Sequence, residues 1–318
     1  MPKNKKIILV LGASGFIGKN CIEYFLKKNY IVKGLYNKNK PTFSKKIKLF
    51  KKDLTTDRGL DAIFKDVDIL IQAAATTSGA RDIVSKPFIH VNDNAIINSV
   101  VTKAAYKNKV PHIINFSCTV MYKSSSKPLN ENQFYPNKIL KNYFGAAWMK
   151  IYVEKLCEFY SNFQVNKYTV IRHSNIYGPN DKFDFKKSHV FGASISKVLR
   201  SDSKPIEVWG DGKEKRNFLY VDDLMNFINI AIKKQKTFYE LCNLGSDKSI
   251  SIKDLIKKII YVTGKKKIIK FNLSKPTLKI DISIDSSKAK KIFGWRQKTN
   301  LETGIKKTIK WCENNSIN

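Results

Sequence analysis

The chain has 318 residues and a formal net charge of +33, from 59 Lys and Arg against 26 Asp and Glu. Only six of the basic residues are Arg, and the lysines are spread along the whole sequence, so solvated lysine-rich faces explain the charge better than a nucleic-acid partner. No segment has the length and apolar character of a transmembrane helix or a signal peptide, so we expect a cytoplasmic protein without a membrane partner.

The five cysteines lie at positions 21, 118, 157, 242 and 312, without the paired spacing of a metal site. Cytoplasmic thiols stay reduced, so we expect neither a disulfide nor a bound metal. The length allows a large hydrophobic core, and we expect a larger domain with a smaller second one.

The first predicted elements are a strand, a tight turn and a helix. Residues 6–11 form an apolar, β-branched run, and glycines follow at positions 12, 15 and 18 before a helical pattern from Asn20. Such glycines allow the turn, the close approach of backbone to a pyrophosphate and close packing of a helix whose N-terminus faces the phosphates. The pattern therefore indicates a dinucleotide site. Its predicted cofactor-binding residues are Gly12, Ser14, Gly15, Phe16, Ile17 and Gly18.

The second predicted strand covers residues 30–36 and is followed by Asn37, Lys38 and Lys40. A cofactor without a 2′-phosphate usually meets an acidic residue at the end of this strand, where it accepts from the ribose hydroxyls. No acidic residue stands there, and the three side chains have the chemistry to hold a 2′-phosphate. The pattern favours NADP(H), with NAD(H) as the alternative if these lysines only belong to a solvated loop.

Three further strands are predicted at residues 47–53, 67–75 and 110–118, the last after a helix over about 93–108. Asp53 is placed to accept from the adenine amine, beside Leu54, and small side chains at Ala73, Ala74 and Ala75 let a strand end approach the cofactor. This alternation predicts an α/β fold with a doubly wound parallel sheet and ligands at the carboxyl ends of its strands.

The segment around Lys150 predicts an amphipathic helix that begins close to this lysine. A tyrosine four residues earlier would share its helix face, and the ammonium would favour the phenolate, giving an acid/base for proton transfer. Ala146 occupies that position. The favoured explanation is a tyrosine replaced by alanine through engineering. The alternative is a natural chain that uses Tyr143, seven residues before the lysine.

Taken together, these segments resemble the extended short-chain dehydrogenase/reductases of the nucleotide-sugar epimerase/dehydratase family, over nearly the whole chain. Within that family, residues 150–158, 188–190 and 208–210 are most similar to the GDP-L-fucose synthases, which reduce a keto-sugar and also epimerise it. The matching residues are 12–18, 53, 73–75, 92, 117–122, 146–150, 172–179, 209–212 and 216–223.

The resemblance implies roles for the catalytic residues. Lys150 would bind the cofactor ribose, and the tyrosine position is Ala146. The hydroxyl position of the family is Cys118, with Ser117 and Thr119 on either side as alternative donors, because a thiol donates poorly. Cys118 is otherwise a small residue at a strand end. Val120 stands where the synthases have a second catalytic cysteine, so the pattern favours reduction or oxidation over full epimerisation.

His189 matches the histidine that acts as proton donor in the synthases, and a neutral imidazole near a ketone suits that work. A surface histidine, or one that only binds substrate, is the alternative. The resemblance also implies cofactor contacts from Asn92 and His173. Residues implied to hold the nucleotide diphosphate of the substrate are Gly79, Asn175, Val190, Lys197, Trp209 and Arg216. Trp209 has a second interpretation, as a residue packed in the core.

The implied domains are residues 1–179 with about 209–235 for the cofactor, and about 180–208 with 236–318 for the substrate. Apolar surface on helices 93–108 and 147–161 implies a homodimer. The expected activity is an NAD(P)-dependent oxidoreductase acting at C4 of a keto-sugar, with a GDP-linked substrate favoured, disabled in this chain by Ala146. The alternatives are a nucleotide-sugar 4-epimerase with retained NAD and a non-catalytic NADP(H)-binding regulator.

Overall fold

The computed structural model describes residues 5–56, 59–77, 87–184, 188–200, 202, 204–275, 277 and 280–316. The side chains of residues 87 and 89 also lie outside this description. In chain order the strands are β1 (Ile7–Leu11), β2 (Ile31–Tyr36), β3 (Lys48–Lys51), β4 (Ile69–Gln72), β5 (His112–Cys118), β6 (Lys167–His173), β7 (Asn175–Tyr177), β8 (Ile206–Trp209), β9 (Lys215–Tyr220), β10 (Tyr239–Leu244), β11 (Ser249–Ser251) and β12 (Ile269–Asn272). The helices are α1 (Phe16–Leu26), α2 (Asp61–Phe64), α3 (Asn92–Lys107), α4 (Phe144–Ser161), α5 (Val190–Leu199), α6 (Val221–Lys234), α7 (Ile252–Thr263), α8 (Ser287–Phe293) and α9 (Leu301–Asn314).

Within the described residues, the main sheet has seven strands in the order β3, β2, β1, β4, β5, β6, β10, and every pairing in it is parallel. This confirms the predicted doubly wound α/β fold. Alternate residues of β1 enter different hydrophobic clusters, with Ile8 and Val10 in one and Leu9 and Leu11 in the other. Both faces of the sheet are therefore covered, as parallel sheets require.

The order of the strands reverses between β1 and β4, which is where open α/β sheets bind their ligands. Leu11 pairs in register with Gln72, and Cys118 pairs with His173. The segments that follow these strands therefore lie along one edge of the sheet.

Helix α4 begins at Phe144, earlier than the predicted start near Lys150. Glycine and two alanines at 145–147 add little side-chain bulk, and alanine is the best helix former, so the helix extends back to a short 3₁₀ turn at Lys141–Tyr143. Ala146 and Lys150 thus lie one turn apart on the same helix. Tyr143 precedes the helix, so its predicted place on a shared helix face is wrong.

Two smaller sheets accompany the main one, in the order β11, β9, β7 and β12, β8. The predicted division at residue 235 does not follow the sheet boundaries, because β10 pairs with β6 in the main sheet. Among the described helices, none has the length and apolar character needed to span a membrane.

Candidate active site

The glycine turn lies between β1 and α1. Gly12 has φ +77°, and a Cβ there would lie 2.6 Å from the carbonyl oxygen of Ala73, so only glycine fits. A Cβ on Gly18 would lie 2.1 Å from the Gly12 oxygen. At Gly15 a Cβ would meet only that same oxygen, at 3.3 Å, so the outer side of the turn is open. The first-turn N–H groups of α1, from Phe16 and Ile17, have no partner within the helix, which fits a pyrophosphate there.

The residues predicted to meet the adenosine lie at the ends of β2 and β3. Asn37 Nδ2 donates to Asp53 Oδ2 at 3.1 Å, which joins the two loops. Hydrogen bonds from Thr55 lower the pKa of the Asp53 carboxyl, and the charge of Lys38 contributes in the same direction. Leu54 is buried. Asp53 is therefore an anion beside the proposed adenosine position, with Lys38 next to it.

Small residues follow β4, as predicted. Ala73 and Ala74 are partly buried and Ala75 is exposed, so the chain leaves the core across these three positions. Asn92 is the first residue of α3 and is exposed. The geometry leaves the backbone of Ala73 in contact with the glycine turn.

Lys150 reaches from α4 to the end of β5. Its Nζ donates to the carbonyl oxygen of Phe116 at 2.8 Å. Burial raises the pKa of Cys118 and lowers that of His173, and the ammonium opposes the first shift and adds to the second. We call the region around these three groups, at the ends of β5 and β6, the cleft. Ala146 is partly exposed one turn before this lysine.

The three candidate donors after β5 have different surroundings. Ser117 is fully buried, and its Oγ donates to Glu154 Oε1 at 2.5 Å, so its only proton is committed inside the protein. Cys118 is partly exposed, and desolvation raises the pKa of its thiol. The hydroxyl of Thr119 has no hydrogen-bond partner among the described residues. The prediction of Ser117 as the donor is therefore not supported by the geometry, which leaves Thr119 and Cys118.

A buried polar network lies behind the cleft. The carboxylate of Glu154 accepts from Arg172 Nε at 2.8 Å and Nη2 at 2.6 Å. Arg172 Nη1 donates to the Tyr122 hydroxyl at 2.9 Å, and that hydroxyl donates to Asn243 Oδ1 at 2.8 Å. With the Ser117 bond, the network ties α4 to β5, β6 and β10.

Sequence reasoning missed the role of this network. Glu154 stands in an amphipathic helix pattern, where an acidic residue is normally solvated, and its partner Arg172 is distant in the chain. One usable signal was Arg172 within the apolar run of a central strand, because a buried arginine needs a carboxylate.

The histidines of the cleft are held neutral. Burial lowers the pKa of His173 to about 4, and its Nδ1 lies 2.7 Å from the carbonyl oxygen of Ser174. A carbonyl only accepts, so Nδ1 carries the hydrogen and Nε2 is an acceptor. His189 is the N-cap residue of α5, without a side-chain capping hydrogen bond. Desolvation of its imidazole lowers its pKa, and the charges of Lys182 and His90 lower it further. The charge of His189 in turn lowers the pKa of His173, so the two histidines face one region.

The predicted substrate residues form two groups. On the paired strands β7 and β9, Asn175 Nδ2 donates to the Asn217 carbonyl at 3.0 Å, and Arg216 donates to the carbonyls of Lys215 and Ile280. Burial lowers the pKa of Arg216, whose guanidinium nevertheless stays charged.

The second substrate group lies on α5 and β8. Val190 begins α5, and Lys197 Nζ donates to the Glu207 carbonyl at 2.7 Å. Trp209 is 43% exposed, so the alternative of a tryptophan packed in the core is wrong. The Lys275 ammonium lies 6.0 Å from the centre of its ring. Gly79 lies outside the described residues.

Tyr143 precedes α4 and packs against a cluster that includes Met121 and Tyr122. Burial is the largest influence on the pKa of Tyr143 and raises it. The charge of Arg216 lowers this pKa, and a Cys118 thiolate would raise it. Each of the five cysteines is a free thiol. Among the described residues, no three His, Cys, Asp or Glu side chains are grouped as metal ligands would be.

Comparisons with known proteins identify the family and the fold of the chain. The family model described as "NAD dependent epimerase/dehydratase family" matches residues 8–245. A GDP-L-colitose synthase from Yersinia pseudotuberculosis is 29% identical over 98% of this chain and 99% of that enzyme. A GDP-L-fucose synthase from Sinorhizobium fredii is 31% identical over 75% of this chain and 77% of that enzyme.

A solved UDP-glucose 4-epimerase from Thermotoga maritima, in a crystal with UDP-glucose, has a TM-score of 0.86 to this chain. The alignment covers 98% of this chain and 99% of that one, at 24% identity. At this identity the similarity establishes the fold alone.

Proposed function

Because this chain belongs to the NAD dependent epimerase/dehydratase family, we propose that it is a nucleotide-sugar oxidoreductase acting at C4 of a keto-sugar. A GDP-linked substrate is favoured, since two similar enzymes are GDP-sugar synthases by name. UDP-sugar epimerases are similar as well, so the nucleotide is the part of the proposal that most needs a direct measurement.

The observation that supports the proposal most is the position of Lys150. Its ammonium is fixed 2.8 Å from the Phe116 carbonyl oxygen, beside Cys118 and at the same sheet edge as the glycine turn. An ammonium held there would hydrogen-bond the ribose of a dinucleotide whose pyrophosphate binds at the N-terminus of α1. The reacting carbon of a sugar would then lie next to the residues after β5.

A bound nicotinamide would supply or accept the hydride at C4. Thr119 would donate a hydrogen bond to the sugar oxygen, with Cys118 as the alternative, and His189 would act as the acid at a neighbouring carbon if epimerisation occurs. Ala146 offers no proton. A site without its acid is expected to be about 100- to 10,000-fold slower, unless another residue takes this part.

The diphosphate of the substrate would bind between β9 and α5. Arg216 would neutralise it with a two-pronged contact, and Lys197 would add a second positive charge. Asn175 would donate a hydrogen bond, and exposed Trp209 would contact the base near Val190. Gly79 belongs to the same proposed set. The substrate-binding part would comprise about 180–208 and 245–318, with the cofactor part formed by 1–179 and about 209–244, because β10 belongs to the main sheet.

NADP(H) is the favoured cofactor, because Lys38 and Asn37 adjoin the proposed ribose position and no acidic residue follows β2 directly. NAD(H) is the alternative, since Asn37 already donates to Asp53 and is not free to turn to a 2′-phosphate without losing that bond.

A nucleotide-sugar 4-epimerase with retained NAD is the second candidate, supported by the similarity to a UDP-glucuronate 4-epimerase that is 27% identical over 96% of this chain and 96% of that enzyme. Such an enzyme would keep its cofactor through purification. It would also interconvert two sugars without net consumption of reduced nicotinamide.

We also propose a homodimer through α3 and α4. Trp148, Tyr152 and Phe159 are large side chains of α4 that are 39%, 44% and 56% exposed, an apolar face that a second copy would cover. The Tyr152 hydroxyl lies 2.8 Å from Ser99 Oγ, which fixes the two helices side by side. Sedimentation of the chain and of Tyr152→Glu would show a dimer and a monomer. We propose a cytoplasmic location, as expected from the sequence.

The first experiment combines binding and turnover. Calorimetry would measure affinity for NADPH, NADH and for GDP-, UDP- and dTDP-linked sugars, and absorbance would follow NADPH oxidation with the 4-keto derivatives. Lys150→Met would weaken cofactor binding while Lys155→Met, an exposed lysine on the same helix, would not. Cofactor binding without affinity for any nucleotide sugar would support the non-catalytic regulator instead.

A further inference from the structure

We propose that Tyr143 is the proton donor of this enzyme, in place of the tyrosine that position 146 lacks. The inference rests on the proposed function, since it assigns a residue to the same hydride-transfer reaction. Tyr143 lies in the 3₁₀ turn before α4, so its backbone conformation differs from that of a residue inside the α-helix.

The position of Tyr143 follows from its packing. Its ring lies against a cluster that includes Met121 and Tyr122, which come just after Thr119, and Ile280, whose carbonyl accepts from Arg216. The ring therefore packs beside the loop after β5 and near residue 280, whose carbonyl holds the Arg216 guanidinium. The sugar and its diphosphate would lie between that loop and the guanidinium.

The electrostatics agree with this placement. Arg216 and Cys118 are the two charged or ionisable groups that influence Tyr143. Cys118 is in turn influenced by the ammonium of Lys150. Cys118 is thus a shared neighbour of the proposed donor and of the lysine that would hold the ribose, so donor and cofactor would face the same carbon.

Two other hydroxyls near the cleft already donate inside the protein, whereas that of Thr119 is left for the proposed hydrogen bond to the sugar oxygen. Tyr122 is fully buried and donates to Asn243, and Ser117 donates to Glu154. Tyr143 is only partly buried, and its hydroxyl forms no hydrogen bond with another described residue. Burial raises the pKa of this phenol, so it carries its proton at neutral pH and is in the donating form.

In the proposed step, Tyr143 protonates the ketone oxygen as the hydride reaches the ketone carbon. The ketone carbon gains a C–H bond from the hydride, and its oxygen gains an O–H bond from Tyr143, which gives a secondary alcohol. The O–H bond of Tyr143 breaks, and the phenolate is stabilised by the Arg216 guanidinium until it takes a proton from water. In the oxidising direction the same phenolate accepts the proton.

The test uses the full-length protein with matched variants. Tyr143→Phe should lower kcat by about 100- to 10,000-fold, with unchanged affinity for NADPH and for the nucleotide sugar. Tyr135→Phe, an exposed tyrosine in the same loop, is the control and should leave kcat unchanged.

A rescue variant separates chemistry from packing. Tyr143→Phe combined with Ala146→Tyr places a phenol one turn before Lys150, and should recover activity with an alkaline limb at lower pH, since the ammonium lowers the phenol pKa. Equal kcat for the parent and Tyr143→Phe would overturn the proposal. So would a parent that binds both ligands without turnover and gains activity from Ala146→Tyr alone. If the parent binds no nucleotide sugar at all, the result instead contradicts the proposed function.

Discussion

Glu154 and Arg172 form an ion pair inside the protein, with side chains that are only 4% and 5% exposed. The carboxylate accepts two hydrogen bonds from the guanidinium and a third from Ser117, so its charge is fully partnered. A buried ion pair is costly to break on one side, because the remaining charge stays out of water.

Glu154→Gln is therefore expected to lower the free energy of unfolding by about 3–5 kcal/mol, as Arg172 loses its counterion. Urea unfolding would measure the change. Glu158→Gln is the matched control on the same helix, since its pair with Lys155 is 43% and 72% exposed. That control should cost only about 0–1 kcal/mol. Similar small losses from both variants would contradict the importance of burial.

Gly18→Ala is expected to weaken the binding of NAD(P)(H) and to destabilise the fold by about 1–3 kcal/mol, because the new Cβ would lie 2.1 Å from the Gly12 oxygen. The turn would have to open. Fluorescence titration with NADPH and thermal unfolding would measure both effects. Gly264→Asn is the comparison, because this glycine faces open space and asparagine tolerates its φ of +65°. If both variants behave alike, the turn is not sterically limited.

Lys38→Glu should shift the cofactor preference from NADPH toward NADH by about tenfold or more, because a carboxylate repels the 2′-phosphate and accepts from a free ribose hydroxyl. The ratio of kcat/KM for the two cofactors, or of their dissociation constants, would show the shift. The same change at exposed Lys46 alters the net charge equally and should leave the ratio as it was. An unchanged ratio in both would place the 2′-position elsewhere.

His112 should make stability depend on pH. Burial lowers its pKa from 6.5 to about 4, and it pairs with Thr169 at 2.8 Å. The folded protein keeps this imidazole neutral while the unfolded chain takes up a proton below pH 6.5, so the stabilisation is complete above that pH. It is lost as the pH falls toward 4, by about 3 kcal/mol in all. Urea unfolding across this range should show a slope that His112→Gln reduces by one proton; parallel curves would disprove it.

Much of the fold was predictable because its pattern is local. The β1 run, the glycines at 12, 15 and 18 and the alternation of strands with helices indicate a parallel sheet without any long-range information. The family resemblance was confirmed over residues 8–245. The start of α4 was less predictable, since alanines at 146 and 147 carry no amphipathic signal yet favour helix.

The cleft depended on contacts that no local pattern gives. Ser117 and Thr119 are both hydroxyl residues beside Cys118, and only the buried carboxylate of Glu154 separates their roles. Likewise Tyr143 lies in a 3₁₀ turn before α4, whereas sequence spacing placed it on a helix face. The position of β10 beside β6 also required the tertiary structure, because β7, β8 and β9, which belong to the two smaller sheets, lie between them in the chain.

That late return of β10 bears on how the protein is made. While a ribosome adds residues 174–238, β6 is the outermost strand on its side, with a row of unpaired backbone groups. Such an edge pairs readily with other chains, and nascent chains on one messenger are close neighbours. A pause in synthesis before β10 has left the ribosome is therefore more hazardous to this fold than an equal pause later.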